Sequence, residues 1–190
     1  MIALKNKILT YSKVSNEEFE FAFQYYKQER LQKGDLLVEE GQIADTLYFM
    51  QKGCVVFCGL IAGEERVIEF FTENDIFGDY HSYLKEVPSK GLIRALENSV
   101  ILSIKKADFE RILEKSHALE HFGRKFLEER LLMVLINFQN NAVLSNEERY
   151  LRLMRKRPTL FQRVPQYLIA SYLGLTAVGL SKIRKRLSDK

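Results

Sequence analysis

The stretch IASYLGLTAVGLSKIRKRL, residues 169–187, has the spacing of two short helices joined by a tight turn. Its apolar residues recur every three or four positions on either side of Gly174, as expected for helices with one buried face. Gly174 can adopt the positive φ of a tight turn, and Thr176 is a suitable N-cap for the second helix. The predicted buried face consists of Ile169, Ala170, Leu173, Leu175, Leu180, Ile183 and Leu187.

This arrangement is typical of a helix-turn-helix motif, in which a small residue lies where the helices touch and the second helix enters the major groove of DNA. The polar side of the second helix carries several cations. A helical hairpin with no role in DNA binding is the alternative. The predicted DNA contacts are Gln166, Thr176, Ala177, Val178, Ser181, Lys182, Lys185 and Arg186.

The charge distribution also separates the C-terminal quarter from the rest of the chain. Residues 146–190 contain eleven Lys and Arg against three Asp and Glu, whereas the remaining residues contain 18 against 22. An acidic body with a basic end indicates an appended module for a polyanion such as nucleic acid. An incidental run of solvated charge is the alternative explanation of these counts.

The segment from Gly34 to about Lys105 has the pattern of short β-strands. Seven of the ten glycines fall between Gly34 and Gly91, where they punctuate short apolar runs. We predict a meander, sandwich or roll of strands here. Two capping boxes, residues 15–18 and 145–148, predict helices before and after this segment.

A long helix is predicted from about residue 117 to residue 140, with an apolar stripe along it. At 1.5 Å per residue its length is roughly 36 Å, more than a small roll can cover. Burial of the stripe against the same helix of a second copy therefore predicts a homodimer, with packing inside one subunit as the alternative. The predicted interface consists of Phe122, Leu127, Leu131, Val134 and Phe138, and Leu119 continues it upstream.

The first half of the chain contains LVEEGQIADTLYFMQKG, residues 37–53. This stretch resembles the signature of cyclic-nucleotide-binding β-rolls. Together with the long helix and the helix-turn-helix, it makes nearly the whole chain similar to the CRP/FNR family of bacterial transcription regulators, in particular to members from the Bacteroidetes. The resemblance implies double-stranded DNA and a second copy of the chain as partners, with RNA polymerase and a small-molecule effector as further candidates.

The same resemblance implies an α+β fold with three parts. Residues 1–115 would form a double-stranded β-helix, or jelly-roll, effector domain of the cyclic-nucleotide-binding type. Residues 116–141 would form the dimerisation helix, and residues 142–190 an all-α helix-turn-helix domain. Family members often add a β-hairpin wing, but only Ser188-Asp189-Lys190 follows the second helix, so no full wing is expected. The candidates for the missing phosphate contacts are Arg155, Lys156, Arg157 and Arg163, with solvated surface as the alternative.

The start of the recognition helix departs from the family pattern. Relatives often read guanine with an arginine and cytosine with a glutamate there, whereas this chain has Ala177 and Val178, which can contact only thymine methyls. Lys182 occupies the family's second arginine position and is the best candidate for guanine, but lysine lacks the bidentate fork of arginine. We therefore expect DNA binding with modest sequence discrimination, a preference for AT-rich sites and an affinity that falls steeply with salt.

The effector pocket departs from the family pattern as well. Relatives that bind cyclic AMP use a Gly-Glu pair for the ribose and an arginine for the phosphate. The loss of that arginine forfeits roughly 3–5 kcal/mol of binding free energy. We therefore expect no cofactor and no cyclic AMP, but another small molecule or the protein's own side chains, such as Tyr80, in the pocket. The corresponding residues here are Gly78, Asp79 and Tyr80 for the first element, and Ser89 and Lys90 for the second.

An enzyme or a metal site is not predicted. The chain contains no recognisable nucleophile triad, phosphate loop or deaminase-type metal pattern. His117 and His121 lie one helical turn apart, but they lack a nearby third ligand other than Glu120 or, through folding, His81. Exposed helix histidines are the simpler explanation.

The remaining features indicate a cytoplasmic protein. No segment resembles an export signal or a membrane-spanning helix. Cys54 and Cys58 are expected to be small buried hydrophobic residues rather than a disulfide. A small-molecule sensor or interaction protein that has lost specific DNA binding is the alternative to a DNA-binding regulator.

Overall fold

The computed structural model describes residues 1–188, in which eight strands form a roll of two antiparallel sheets. The strands are β1 (Lys27–Leu31), β2 (Leu36–Val38), β3 (Thr46–Lys52), β4 (Val55–Ile61), β5 (Glu64–Phe71), β6 (Ile76–Phe77), β7 (Gly91–Ala95) and β8 (Ser99–Lys105). One sheet, the β1 sheet, has the order β1-β8-β3-β6, and the other, the β2 sheet, has the order β2-β7-β4-β5. This is the strand order of a jelly roll, so the predicted β-roll is confirmed.

Within the described residues, two helices precede the roll, one lies between β6 and β7, and six follow β8. The helices are α1 (Ile2–Leu9), α2 (Asn16–Phe23), α3 (Tyr80–Lys85), α4 (Lys106–Lys115), α5 (His117–Val143), α6 (Asn146–Lys156), α7 (Leu160–Arg163), α8 (Gln166–Tyr172) and α9 (Ala177–Ser188). Both predicted capping boxes are present, at the starts of α2 and α6. Asp189 and Lys190, on which the expectation of a missing wing depends, lie outside the described residues.

Three buried clusters connect these elements. The lumen cluster lies between the two sheets, and the N-terminal cluster packs α1, α2, α4 and the first half of α5 on the outer face of the β1 sheet. The module cluster packs α6 to α9, which we call the C-terminal module, on the outer face of the β2 sheet. Because both faces of each sheet are covered, strands such as β3 are apolar at successive positions: Leu47 and Phe49 face the helices, while Tyr48 and Met50 face the lumen.

The C-terminal module docks on β5, the edge strand of the β2 sheet. The backbone N–H of Val67 donates to Ser171 Oγ at 3.0 Å, and Arg157 donates to the backbone carbonyl of Phe70 at 2.9 Å. The ring of Tyr172 lies 5.4 Å from that of Phe70. The module therefore supplies partners for backbone groups that a strand edge leaves unpaired. Within residues 1–188, no helix has the length and hydrophobicity to cross a bilayer.

Candidate nucleic-acid interface and effector pocket

Helices α8 and α9 meet at the turn that the sequence predicts around Gly174. Gly174 has a φ of 68°, and the N–H of Leu175 donates to the carbonyl of Ala170 at 2.8 Å. Thr176 Oγ1 accepts a hydrogen bond from the N–H of Gly179 at 3.0 Å and so caps α9. The contacting faces of the two helices are formed by Ile169, Ala170, Leu173, Leu180 and Ile183, which are all buried.

The side of α9 that points away from the module is exposed. Val178, Lys182 and Lys185 follow the i, i+4, i+7 spacing of one helical face, opposite Leu180 and Ile183. Val178 is 65% exposed. The other predicted DNA contacts are exposed as well: Gln166, Thr176, Ala177, Ser181 and Arg186.

Two of the arginines predicted to make the phosphate contacts of a missing wing form ion pairs with the roll instead. Arg157 Nη1 lies 2.9 Å from Glu69 Oε1. Arg163 bonds both carboxylate oxygens of Glu73, at 2.8 and 2.9 Å, and also pairs with Glu97. Arg157 and Arg163 are therefore not available for the phosphate contacts expected of them. The carboxylates that hold them come from distant parts of the chain, which local sequence cannot reveal.

The other cations predicted to contact DNA are not held by the roll. Arg155 and Lys156 stay exposed at the end of α6. Arg186 of α9 is exposed but forms an ion pair with Glu147 of α6. Lys182 and Lys185 are therefore the cations that dominate the outward face of α9.

Helix α5 has two apolar sides with different environments. Phe122 is only 2% exposed, because its ring packs against those of Tyr11 and Phe126 in the N-terminal cluster. Its expected place in a dimer interface is therefore wrong, and Leu119 is buried in the same cluster. The rest of the predicted interface is exposed: Leu127 by 47%, Leu131 by 61%, Val134 by 62% and Phe138 by 73%.

The two elements expected to hold a cyclic nucleotide bond to each other. Ser89 Oγ donates to Asp79 Oδ2 at 2.7 Å, and Asp79 Oδ1 accepts from the N–H groups of His81 and Ser82 at the start of α3. Asp79 is 4% exposed and Ser89 is 2% exposed. Arg94 points elsewhere and binds both oxygens of Glu65 at 2.8 and 2.6 Å.

A cleft of about 760 Å³ opens beside Ser89. Its lining residues are Glu40, Gly41, His81, Val87, Pro88, Ser89 and Lys90. Lys90 is exposed, whereas Gly78 is buried, and a side chain there would meet the Thr46 carbonyl at 3.1 Å. The prediction that Tyr80 fills the pocket is wrong. Its hydroxyl donates to the Ile76 carbonyl at 3.1 Å, and its ring packs in the N-terminal cluster instead of the cleft.

Sequence reasoning missed an aromatic stack in the lumen. The rings of Phe71 and Phe77 lie 5.0 Å apart at an angle of 17°, and Tyr48 stacks on Phe77 at 5.3 Å. The guanidinium of Arg130 on α5 lies 5.8 Å from the Phe71 ring centre, within range of a cation–π contact. The alternation of these strands places the rings in the lumen, but only the fold brings three strands and α5 together.

Both cysteines are buried and free, as expected for small hydrophobic residues. Burial raises the pKa of the Cys54 thiol to about 12 and that of the Cys58 thiol to about 11. Among the described residues, no group of three or more His, Cys, Asp or Glu side chains has the arrangement of a metal site. Histidine 121 instead contacts the Arg124 guanidinium at 3.0 Å through Nδ1.

The roll has recognisable relatives. Residues 28–116 match the cyclic nucleotide-binding domain family. A curated relative of this domain is a cAMP-dependent protein kinase regulatory subunit from Candida albicans, 29% identical over 86 residues. The aligned segment covers 45% of this chain but only 18% of that relative, so the likeness concerns the domain rather than the whole protein.

Two solved structures are similar over almost the entire chain. The c-di-GMP responsive global regulator CLP of Xanthomonas campestris aligns with a TM-score of 0.71, covering 92% of each chain at 17% identity. A CooA mutant of Carboxydothermus hydrogenoformans aligns with a TM-score of 0.67, covering 96% of this chain and 83% of the other at 18% identity. The segment that matches the cyclic nucleotide-binding domain family therefore lies in a chain that is structurally similar to regulators of the CRP/FNR family.

Proposed function

We propose that this protein is a cytoplasmic, homodimeric transcriptional regulator of the CRP/FNR type, which binds DNA through a helix-turn-helix and does not respond to cyclic AMP. The observation that carries the proposal is the exposed face of α9, where Val178, Lys182 and Lys185 point outward beside a capped, tightly closed turn. A fold shared with the two regulators over more than nine-tenths of this chain supports the same assignment.

In this proposal α9 enters the major groove. Lys182 donates to a guanine edge, and Ala177 and Val178 contact thymine methyls, so that discrimination is modest and favours AT-rich sites. Lys185 and the cations beside it contact phosphates, which contribute affinity without sequence information. Arg157 and Arg163 take no part, because the roll's carboxylates already hold them.

The exposed side of α5 supports the dimer. Leu127, Leu131, Val134 and Phe138 form one stripe, and each is roughly half or more exposed in the single chain. A second copy of α5 would bury this stripe and relate the two α9 helices by a two-fold axis. Half-sites about 34–36 Å apart are then expected on the DNA.

The effector pocket lacks what a cyclic phosphate needs. Among the described residues that line the cleft, a phosphodiester at Ser89 would meet no buried cation, and the carboxylate of Glu40 lines the same cleft. Asp79 is 4% exposed and both of its carboxylate oxygens already accept hydrogen bonds, from Ser89 and from the start of α3, so the carboxylate is not turned toward a ribose in the cleft. Another small molecule in the cleft, or none, fits this chemistry better.

Fluorescence anisotropy with a random-sequence duplex at 50 and 200 mM salt tests DNA binding. The wild-type protein should bind at low salt, and the Lys182→Ala/Lys185→Ala variant should lose affinity, with a log–log salt slope flatter by up to about 1.8. Lys33→Ala/Lys85→Ala removes the same charge from exposed sites on the roll and should change neither quantity. Absence of wild-type binding at low salt would contradict the proposal and favour an interaction protein that has lost DNA binding.

A further inference from the structure

One short segment, Glu69–Asp75, contacts both the roll lumen and the C-terminal module. It comprises the end of β5 and the turn before β6. Phe70 belongs to the module cluster, whereas its neighbour Phe71 belongs to the lumen cluster. Successive side chains of a strand point to opposite faces, so a single stretch of backbone joins these two regions.

On the lumen side, Phe71 is held by aromatic neighbours. Its ring stacks on Phe77 at 5.0 Å and lies beneath the Arg130 guanidinium of α5. Phe71 is 3% exposed and Phe77 is fully buried. Because interiors are closely packed, a rearrangement of this stack displaces the Phe71 backbone rather than being absorbed locally.

On the module side, the same backbone is fixed by polar contacts. Arg157 donates to the Phe70 carbonyl and pairs with Glu69, so one guanidinium holds both the main chain and a side chain of β5. Arg163 holds Glu73, which also accepts the N–H of Gly53 at 2.8 Å. Movement of the segment would therefore break contacts that dock the module.

We propose that Glu69–Asp75 couples the packing of the roll lumen to the docking of the C-terminal module. A change that displaces Phe71 loosens the hold of Arg157 and Arg163, and the module shifts on the β2 sheet as a unit. The consequence for DNA rests on the proposed function, because the module carries α9. The coupling itself is a property of one chain and can be measured without DNA.

Cys54 provides a reporter of docking. It is fully buried in the module cluster, and burial raises the pKa of its thiol to about 12. Undocking of the module would expose this thiol and return its pKa toward the ordinary value, so that it reacts faster. In a Cys58→Ala background it is the single cysteine of the chain.

The experiment measures the reaction rate of Cys54 with Ellman's reagent under native conditions, with global stability measured separately by urea unfolding. Arg163→Gln should raise the rate by cutting the docking contacts directly. Phe71→Leu should raise it by about tenfold beyond any effect of global stability. Ile101→Val removes a similar volume from the lumen cluster on β8, which β3 separates from the segment, and should leave the corrected rate within about twofold.

The combined variant Phe71→Leu/Arg163→Gln makes the test sharper. Because both changes act on one interface, its rate increase should be smaller than the product of the single increases. Equal corrected rates for Phe71→Leu and Ile101→Val would overturn the coupling, as would a multiplicative double variant or an unchanged rate in Arg163→Gln. None of these results involves DNA, so such a failure would leave the proposed DNA binding standing.

Discussion

Ser89 Oγ lies 2.7 Å from Asp79 Oδ2 and donates a hydrogen bond to it, with both side chains buried. The same hydroxyl accepts the N–H of Gly91 at 3.1 Å. The two positions that the family resemblance assigns to phosphate and ribose are thus bonded to each other. A buried network of this kind is stable because its members satisfy one another, and a ligand would have to replace those bonds.

Cyclic nucleotides should therefore not bind at micromolar concentrations. Isothermal calorimetry with cyclic AMP and cyclic GMP is expected to show no saturable heat, since the loss of the phosphate's cation alone costs about 3–5 kcal/mol. A micromolar Kd for either nucleotide would show that Lys90 or His81 supplies the missing charge and would contradict this assignment.

Lys182→Ala should relax sequence specificity and weaken binding to the preferred site by roughly 1–3 kcal/mol. Arg186→Ala should weaken all sequences to a similar and smaller extent, because this arginine is already paired with Glu147. Competition binding with a selected site and with random duplex measures both effects. Lys33→Ala removes one charge from an exposed site on the roll, away from α9, and serves as the control that should change neither effect. Identical behaviour of the Lys182 and Arg186 variants would argue against these roles.

Val134→Glu should shift the protein from dimer to monomer. The substitution places a carboxylate in the exposed stripe of α5, and an unpaired charge buried in an interface costs about 3–5 kcal/mol, or roughly a hundredfold or more in the dimer Kd. Analytical ultracentrifugation measures the change. Gln139→Glu adds the same charge to an exposed polar position of α5 and should leave the dimer intact. A monomeric wild-type protein at micromolar concentration would contradict the interface.

Acid should weaken the docking contacts through Glu73. Burial raises the pKa of this carboxyl, but hydrogen bonds from Arg163 and the Gly53 N–H outweigh burial and hold the pKa at about 2, below its ordinary 4.5. A lowered folded-state pKa means that the stabilisation is complete above the unfolded-state value and is lost as the pH falls from about 4.5 toward 2. Because the pair is partly exposed, the loss should be only about 1 kcal/mol.

Urea unfolding between pH 7 and pH 2.5 checks this expectation. Glu73→Gln should lower the free energy of unfolding at pH 7 and flatten its dependence on pH in the acid range. Glu64→Gln, at a carboxylate that pairs with Arg66 on the exposed hairpin, should leave that dependence nearly unchanged. A wild-type slope equal to that of Glu73→Gln would mean that Glu73 does not stabilise the docked module.

The helix pair at the end of the chain illustrates how far local sequence reaches. The positive φ of Gly174, the cap at Thr176 and the buried positions Leu180 and Ile183 all follow from residues within a few positions of one another. The effector pocket illustrates the limit. The residues at positions 79 and 89 were identifiable, but not their bond to each other, nor the turn of Tyr80 away from the cleft.

The sequence by itself determined the elements of this protein, because capping boxes, helical spacing and strand alternation depend on near neighbours along the chain. Only the tertiary structure decided which side chains of different elements contact each other. Arg157 bonds Glu69 across 88 positions of sequence, and Arg163 bonds Glu73 across 90. Phe122, which the sequence placed in the dimer interface, packs instead against Tyr11 of the N-terminal region. Such side-chain contacts depend on which surfaces the fold brings together. Local patterns of charge or hydrophobicity do not specify them.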